Sequence, residues 1–243
     1  DAAALTTFQT GLAFDKKSLD DIATQLATIT DNGEDAQKVL QDLRETVSKR
    51  RVDLATLLGN IIPARDKAKA ALDAFPPQPK PVDPPEAKAT TDARKNASDL
   101  LAKLNDIAAE TQKQISRADQ LGNTIVVRPF NNALAKEQKS LDDVEAALTS
   151  LPPDQEKASK TLDELRGVVD TAVTNLSTLQ SKVSPPLDQS KARLAQLGEP
   201  DPSESADIAE TRATQNDLQQ QLKDVIKRAG DQSSRAAGFS NTI

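Results

Sequence analysis

The chain has 243 residues, a net charge of −6, 37% hydrophobic and 2% aromatic content, and no Cys, His, Met, Trp or Tyr. That composition excludes the basic surface and stacking rings of a nucleic-acid binder, disulfides and thiolate ligands, and the imidazole, thiol and phenol groups of the commonest catalytic sets. So few aromatics among many Leu, Ile, Val and Ala residues suit slender helical seams better than a thick globular core.

Apolar residues first recur at Leu5, Phe8, Leu12, Leu19, Ile22, Leu26 and Ile29, in steps of three and four that lay them along one helix face. Asp15 fills the gap in this stripe. A carboxylate there is predicted to reach out to water or to a neighbouring Lys or Arg, or else to form a buried pair that sets register. Asp31-Asn32-Gly33-Glu34-Asp35 is turn composition and ends the helix, and a short turn implies an antiparallel neighbour. The turn resembles part of a calcium loop but lacks its ligand spacing and closing Glu, so no metal site is assigned.

The second helix, of about 40 residues, reads Leu40, Leu43, Val47, Leu54, Leu58, Ile61, Ala68, Leu72 and Phe75. Its stripe holds phase through Pro63, where the lost ladder bond predicts a kink or brief break with the direction kept. Lys49-Arg50-Arg51, in mid-helix, reads as a local charged face. Six prolines between Phe75 and Ala87 predict an extended, polyproline-like tip. The third helix carries Ala97, Leu100, Leu104, Ile107, Thr111, Ala118, Leu121 and Ile125, small and polar enough for close, partly wet packing. Its stripe runs out of phase with Val127 and Phe130, and Arg128 precedes Pro129, which disfavours helix at that residue. A joint is predicted between residues 122 and 129.

There the pattern begins again. Lys17-Ser18-Leu19-Asp20-Asp21-Ile22 returns as Lys139-Ser140-Leu141-Asp142-Asp143-Val144, and the same offset of 122 carries Leu5 onto Val127, Phe8 onto Phe130, Leu26 onto Leu148, Leu43 onto Leu165 and Leu72 onto Leu194. Past the prolines the offset is 118, pairing Leu104 with Leu222 and Arg117-Ala118 with Arg235-Ala236. In the second copy Glu137 takes the place of Asp15, and Pro152-Pro153-Asp154 makes the first turn. The long stripe Leu162, Leu165, Val169, Val173, Leu176, Val183, Leu187, Leu194 and Leu197 passes through Pro185-Pro186, and Gly198-Glu199-Pro200-Asp201-Pro202 forms the second tip. The last helix carries Leu218, Leu222, Val225, Ala229, Ala236, Phe239 and Ile243. An internal repeat sets architecture before any local feature does. The expectation is an all-α fold: a tandem repeat of two elongated antiparallel three-helix, coiled-coil-like units with proline-rich tips, residues 1–122 and 123–243.

The Asp20-Asp21 and Asp142-Asp143 pairs look like duplicated active-site carboxylates, but successive helical residues point about 100° apart, so they read as solvated faces. The sequence assigns no catalytic, cofactor-binding or metal-binding residue, expects no cofactor, and reads as a non-enzyme that does not bind nucleic acid. The longest aliphatic run, Ile125-Val126-Val127, falls far short of the roughly 20 residues a membrane span needs. The start at Asp1-Ala2-Ala3-Ala4 without Met predicts a processed or excised N-terminus, as removal of a signal peptide would leave.

Leu194-Ala195-Gln196-Leu197-Gly198-Glu199-Pro200, an acidic proline linker, Ile208-Ala209-Glu210-Thr211-Arg212 and a helix ending Arg235-Ala236 resemble the periplasmic domain that precedes the membrane helices of large MscS-type mechanosensitive channels. Ala71-Leu72-Asp73-Ala74-Phe75-Pro76-Pro77 and Arg117-Ala118-Asp119-Gln120-Leu121 echo it in the first copy. The resemblance implies a non-catalytic structural or interaction module of an inner-membrane channel, lying in the periplasm and serving the osmotic-stress response. It also implies homo-oligomerisation through the full-length channel and contact with cell-envelope proteins. It supplies no catalytic residues. An envelope or secreted coiled-coil adaptor or stalk, and a spectrin-like spacer, share the same physics and stand as alternatives.

Overall fold

The computed structural model describes residues 2–75, 88–201 and 205–243. The proline tip expected at 76–87, and Pro202 at the end of the second tip, lie outside the described residues. Every regular element among the described residues is an α-helix: α1 (Ala2–Thr28), α2 (Glu34–Asp73), α3 (Lys88–Thr149), α4 (Gln155–Gln196) and α5 (Ala206–Ser240). The fold is all-α. The chain divides into two compact units, one made of Asp1–Ala27 and Asp42–Gly122, the other of Thr28–Gln41 and Asn123–Ile243.

In unit 1, α1 contributes Leu12, Leu19, Ile22 and Leu26 to the core, α2 contributes Leu43, Val47, Leu54, Ile61 and Ala68, and α3 contributes Leu104, Ile107, Ala108, Ile115 and Ala118. Side-chain pairings give the helix directions. Asp15 meets Arg50 and Gly11 faces Leu57, so α1 and α2 run oppositely. Lys16 meets Glu110 and Asp20 meets Arg117, so α1 and this part of α3 run together.

Unit 2 buries Val127, Leu134, Leu141 and Val144 of α3 against Val169, Leu176, Val183 and Leu187 of α4 and Leu218, Leu222, Val225 and Ala236 of α5. As α4 advances from Gln180 to Ser190, its partners on α5 retreat from Ile226 to Gln215, an antiparallel pair. The expected seam position Val173 is 38% exposed, whereas its neighbour Ala172 is 1% exposed. The strict three-and-four spacing therefore picks the wrong one of two adjacent residues on α4.

The expected joint at 122–129 is absent, because α3 is continuous for 62 residues and carries Pro129 inside it. Proline in a helix interior costs about 3 kcal/mol through its missing donor and its clash with the preceding turn. Ile125, Val127 and Leu134 are at most 4% exposed, and burying each such side chain contributes about 1.5–3 kcal/mol, so burial outweighs the proline. The change of phase has a physical cause as well. No residue from 121 to 134 is fully exposed, and a helix covered all round shows no single apolar stripe. Pro63 lies within α2, and Pro185 and Pro186 within α4, neither helix being broken there.

Gly198 closes α4 with φ +70°, the left-handed conformation in which a Cβ is penalised. Nothing lies within 4 Å of a Cβ built there, so the penalty is conformational alone. Gly198→Ala is expected to lower stability by about 1 kcal/mol, measurable in a urea melt.

Candidate functional site

Among the described residues, buried polar side chains meet at Ser190 and Gln215, and two further places also hold a buried carboxylate. In unit 1 the heptad gap at Asp15 is a buried ion pair: Arg50 Nη1 donates to Asp15 Oδ1 at 2.7 Å, and Arg50 Nη2 lies 2.9 Å from Asp53 Oδ2. Asp15 is 4% and Arg50 8% exposed. Burial pushes the Asp15 carboxyl above its ordinary value, while the hydrogen bond and charge of Arg50 pull it back. The guanidinium also lies over the Phe14 ring, 5.0 Å from its centroid, a cation–π contact. The sequence expectation of a charged face at Lys49-Arg50-Arg51 is thus corrected at Arg50. An arginine that folds its stem along the helix can bury its head where a carboxylate waits. Arg51 is half exposed and pairs with Asp119 at 2.5 Å.

In unit 2 hydrogen bonds hold the α1–α2 turn on α3. Arg128 Nε donates to the Ile29 carbonyl at 3.0 Å, Asn132 Nδ2 to the Asp31 carbonyl at 3.0 Å, and Asn32 Nδ2 to the Pro129 carbonyl at 2.6 Å. The turn itself is tightened by the Gly33 N–H donating to Asp31 Oδ1, and Glu34 and Asp35 follow in the first turn of α2, where carboxylates complement the helix dipole. The segment expected to be a joint therefore serves as a platform. Asn132→Ala is expected to weaken this attachment by about 0.5–1.5 kcal/mol, and amide exchange across residues 29–37 should quicken while that of Leu141 stays unchanged.

Beside the turn opens a cleft of about 780 Å³ whose lining includes Asn32, Asn132, Lys136, Glu137, Asn175 and Lys182. Glu137, the second seam carboxylate, is 7% exposed and accepts from Asn175 Nδ2 at 3.0 Å. Asn32 Oδ1 is a buried acceptor with no donor. Lys136 and Lys182 are exposed, and neither forms an ion pair among the described residues. The sequence marked Glu137 as a carboxylate in a seam. It gave no sign of the cleft, because Asn32, Asn132 and Asn175 are scattered polar residues until α3, α4 and the turn converge.

Of the duplicated acidic pairs, Asp20, Asp142 and Asp143 are ion-pair partners, and Asp21 is exposed. Asp20 meets Arg117 at 2.6 Å, Asp142 meets Arg235 at 2.6 Å, Asp143 meets Lys139 at 2.7 Å, and Glu145 also contacts Arg235. Among the described residues no group of three carboxylates is placed to hold a metal ion, and no helix is long and apolar enough to cross a membrane. At the α4–α5 linker, Arg212 donates to the carbonyls of Gly198 at 2.8 Å, Leu197 at 3.2 Å and Glu199 at 3.5 Å. These carbonyls lie at the C-cap of α4 and in the two residues that follow it. No protein-family model, curated protein or solved structure matches the chain.

Proposed function

We propose that the chain is a non-catalytic, duplicated helical module that spaces and assembles, built from two three-helix repeats, and that it belongs to the periplasmic portion of an MscS-type mechanosensitive channel. The observation that carries the duplication is a pair of matching ion pairs. Asp20–Arg117 and Asp142–Arg235 are related by the same offsets, 122 and 118, that relate the two halves of the sequence. Fully buried seam residues obey the offset too: Leu19 with Leu141, Leu54 with Leu176, Ile61 with Val183, and Ala118 with Ala236. Pro63 corresponds to Pro185.

The channel assignment is supported by the linker that carries the resemblance. Arg212, within the resembling stretch, clamps the backbone of Leu197, Gly198 and Glu199, giving that motif a structural purpose. Its counterpart at the offset of 118 is Arg94, which lies over the Phe75 ring at 5.3 Å, so an arginine of the third helix stands against the end of the second in both halves. Net charge −6 and the engagement of Asp20, Asp142 and Asp143 in ion pairs fit a scaffold. Within such a channel the module would influence subunit assembly and coupling to other envelope proteins, since tension acts in the bilayer.

The test is deletion of residues 1–243 from the native reading frame, followed by hypo-osmotic shock survival and patch-clamp recording. The proposal expects the intact frame to encode pore helices and the deletion to change assembly or gating. A frame without any apolar run of about 20 residues would overturn the channel assignment and leave the envelope stalk or spectrin-like spacer.

A further inference from the structure

The two seam carboxylates, read as counterparts under the repeat proposed above, differ in one respect that points to a ligand. In unit 1 Asp15 receives a guanidinium from the chain itself, and that guanidinium bridges to Asp53. The offset of 122 carries Asp15, Arg50 and Asp53 onto Glu137, Ala172 and Asn175. Unit 2 keeps the two acceptor-bearing residues and has alanine at the sequence position of the arginine.

Glu137 is nonetheless just as buried, at 7% against 4% for Asp15, and its hydrogen-bond partner is one neutral amide, Asn175 Nδ2 at 3.0 Å. A carboxylate offers about four acceptor positions, and burying it without charge-bearing donors is costly. Asn32 Oδ1, on the same cleft, is a second buried acceptor lacking a donor. The floor of the cleft thus asks for a cationic group rich in N–H donors. Lys136 and Lys182, exposed on the same lining and not ion-paired among the described residues, are fitted to receive an anion.

We propose that this cleft binds a ligand carrying both a guanidinium and a carboxylate, the chemistry of free arginine or of a peptide ending in arginine. The guanidinium would lie against Glu137 and Asn175, as Arg50 lies against Asp15 and Asp53, and the carboxylate against Lys136 and Lys182. A planar fork of donors meeting a carboxylate is the strongest of the side-chain pairings available. The volume of about 780 Å³ falls within the range of small-ligand clefts and is roomy enough for more than a single amino acid.

Calorimetric titration of the whole chain with L-arginine, with the tripeptide Gly-Gly-Arg and with citrulline tests this. Arginine or the tripeptide should bind. Citrulline, the same shape without the charge, should bind at least about tenfold more weakly, and Glu137→Gln should lose about tenfold or more in affinity. Tighter binding of the tripeptide identifies a peptide end as the ligand, and equal binding identifies the free amino acid. Ala172 is 1% exposed and lies outside the cleft lining, so in Ala172→Arg the head has to reach Glu137 along α4 as Arg50 reaches Asp15; under the repeat equivalence it does so and blocks the ligand. Absence of binding by both arginine and the tripeptide up to about 10 mM, or binding unchanged in Glu137→Gln, overturns the proposal. If Ala172→Arg stabilises while the unmodified chain binds nothing, the repeat equivalence stands and the ligand falls. If binding depends on Glu137 but Ala172→Arg destabilises without blocking it, the ligand stands and the equivalence falls.

Discussion

Arg50→Met is expected to destabilise the protein by about 3–5 kcal/mol, because it leaves a buried carboxylate without its counter-charge. Asp15 is 4% exposed and its charged partner at 2.7 Å is Arg50. The double variant Asp15→Leu, Arg50→Met should recover most of that loss or exceed the parent, since buried pairs often break even against apolar residues of similar size. Arg50 Nε is itself buried without a hydrogen-bond partner, a cost that the double variant also removes.

The pH dependence has a defined sign. Burial raises the Asp15 carboxyl and Arg50 opposes that rise, so removing Arg50 raises it further. A carboxyl whose value is higher folded than unfolded binds its proton more readily in the folded state. The penalty is therefore present at neutral pH and is relieved as pH falls through the folded value. Arg50→Met should approach the parent in stability on acidification from neutral pH towards the carboxylate range, when the two are compared in parallel urea melts. A constant gap across that range would place the cost elsewhere than in the Asp15 charge.

Leu54→Ala and Leu176→Ala are each expected to cost about 2–5 kcal/mol. Both side chains are 0% exposed, one in the core of each unit, and they stand 122 residues apart. Truncation at each site removes the same atoms from a filled seam, and under the proposed repeat the two should lose similar amounts. Val173→Ala, at a 38% exposed position on α4, should change stability by less than about 0.5 kcal/mol. Leu165→Ala should fall between, because Leu165 is half-buried whereas its counterpart Leu43 is 4% exposed.

Much of the fold was legible because apolar spacing reports what a helix buries. The stripes through Leu19, Leu54 and Leu104, and through Leu141, Leu176 and Leu222, are core in the structure, and the long second helices are 40 and 42 residues. What misled was local chemistry overridden by burial. Pro129 and the change of phase after Ile125 argue for a break, yet a helix at least partly covered on every side keeps its course and loses its stripe. Arg50 reads as solvated because nothing in its own helix shows that Asp15 faces it. The cleft was illegible for a related reason. Its lining residues Asn32, Asn132, Glu137 and Asn175 lie on separate stretches of the chain and come together only where α3, α4 and the turn converge.

Hydrogen exchange by mass spectrometry on the whole chain reads both the proposed duplicated seam and the continuity of α3. Slow-exchanging segments are expected to recur at matching positions, around Leu19 and Leu141, Leu54 and Leu176, and Leu104 and Leu222, and residues 122–130 to be protected as continuous helix apart from Pro129, which has no amide. Rapid exchange across 122–130, or strong protection confined to one half of the chain, would contradict that expectation.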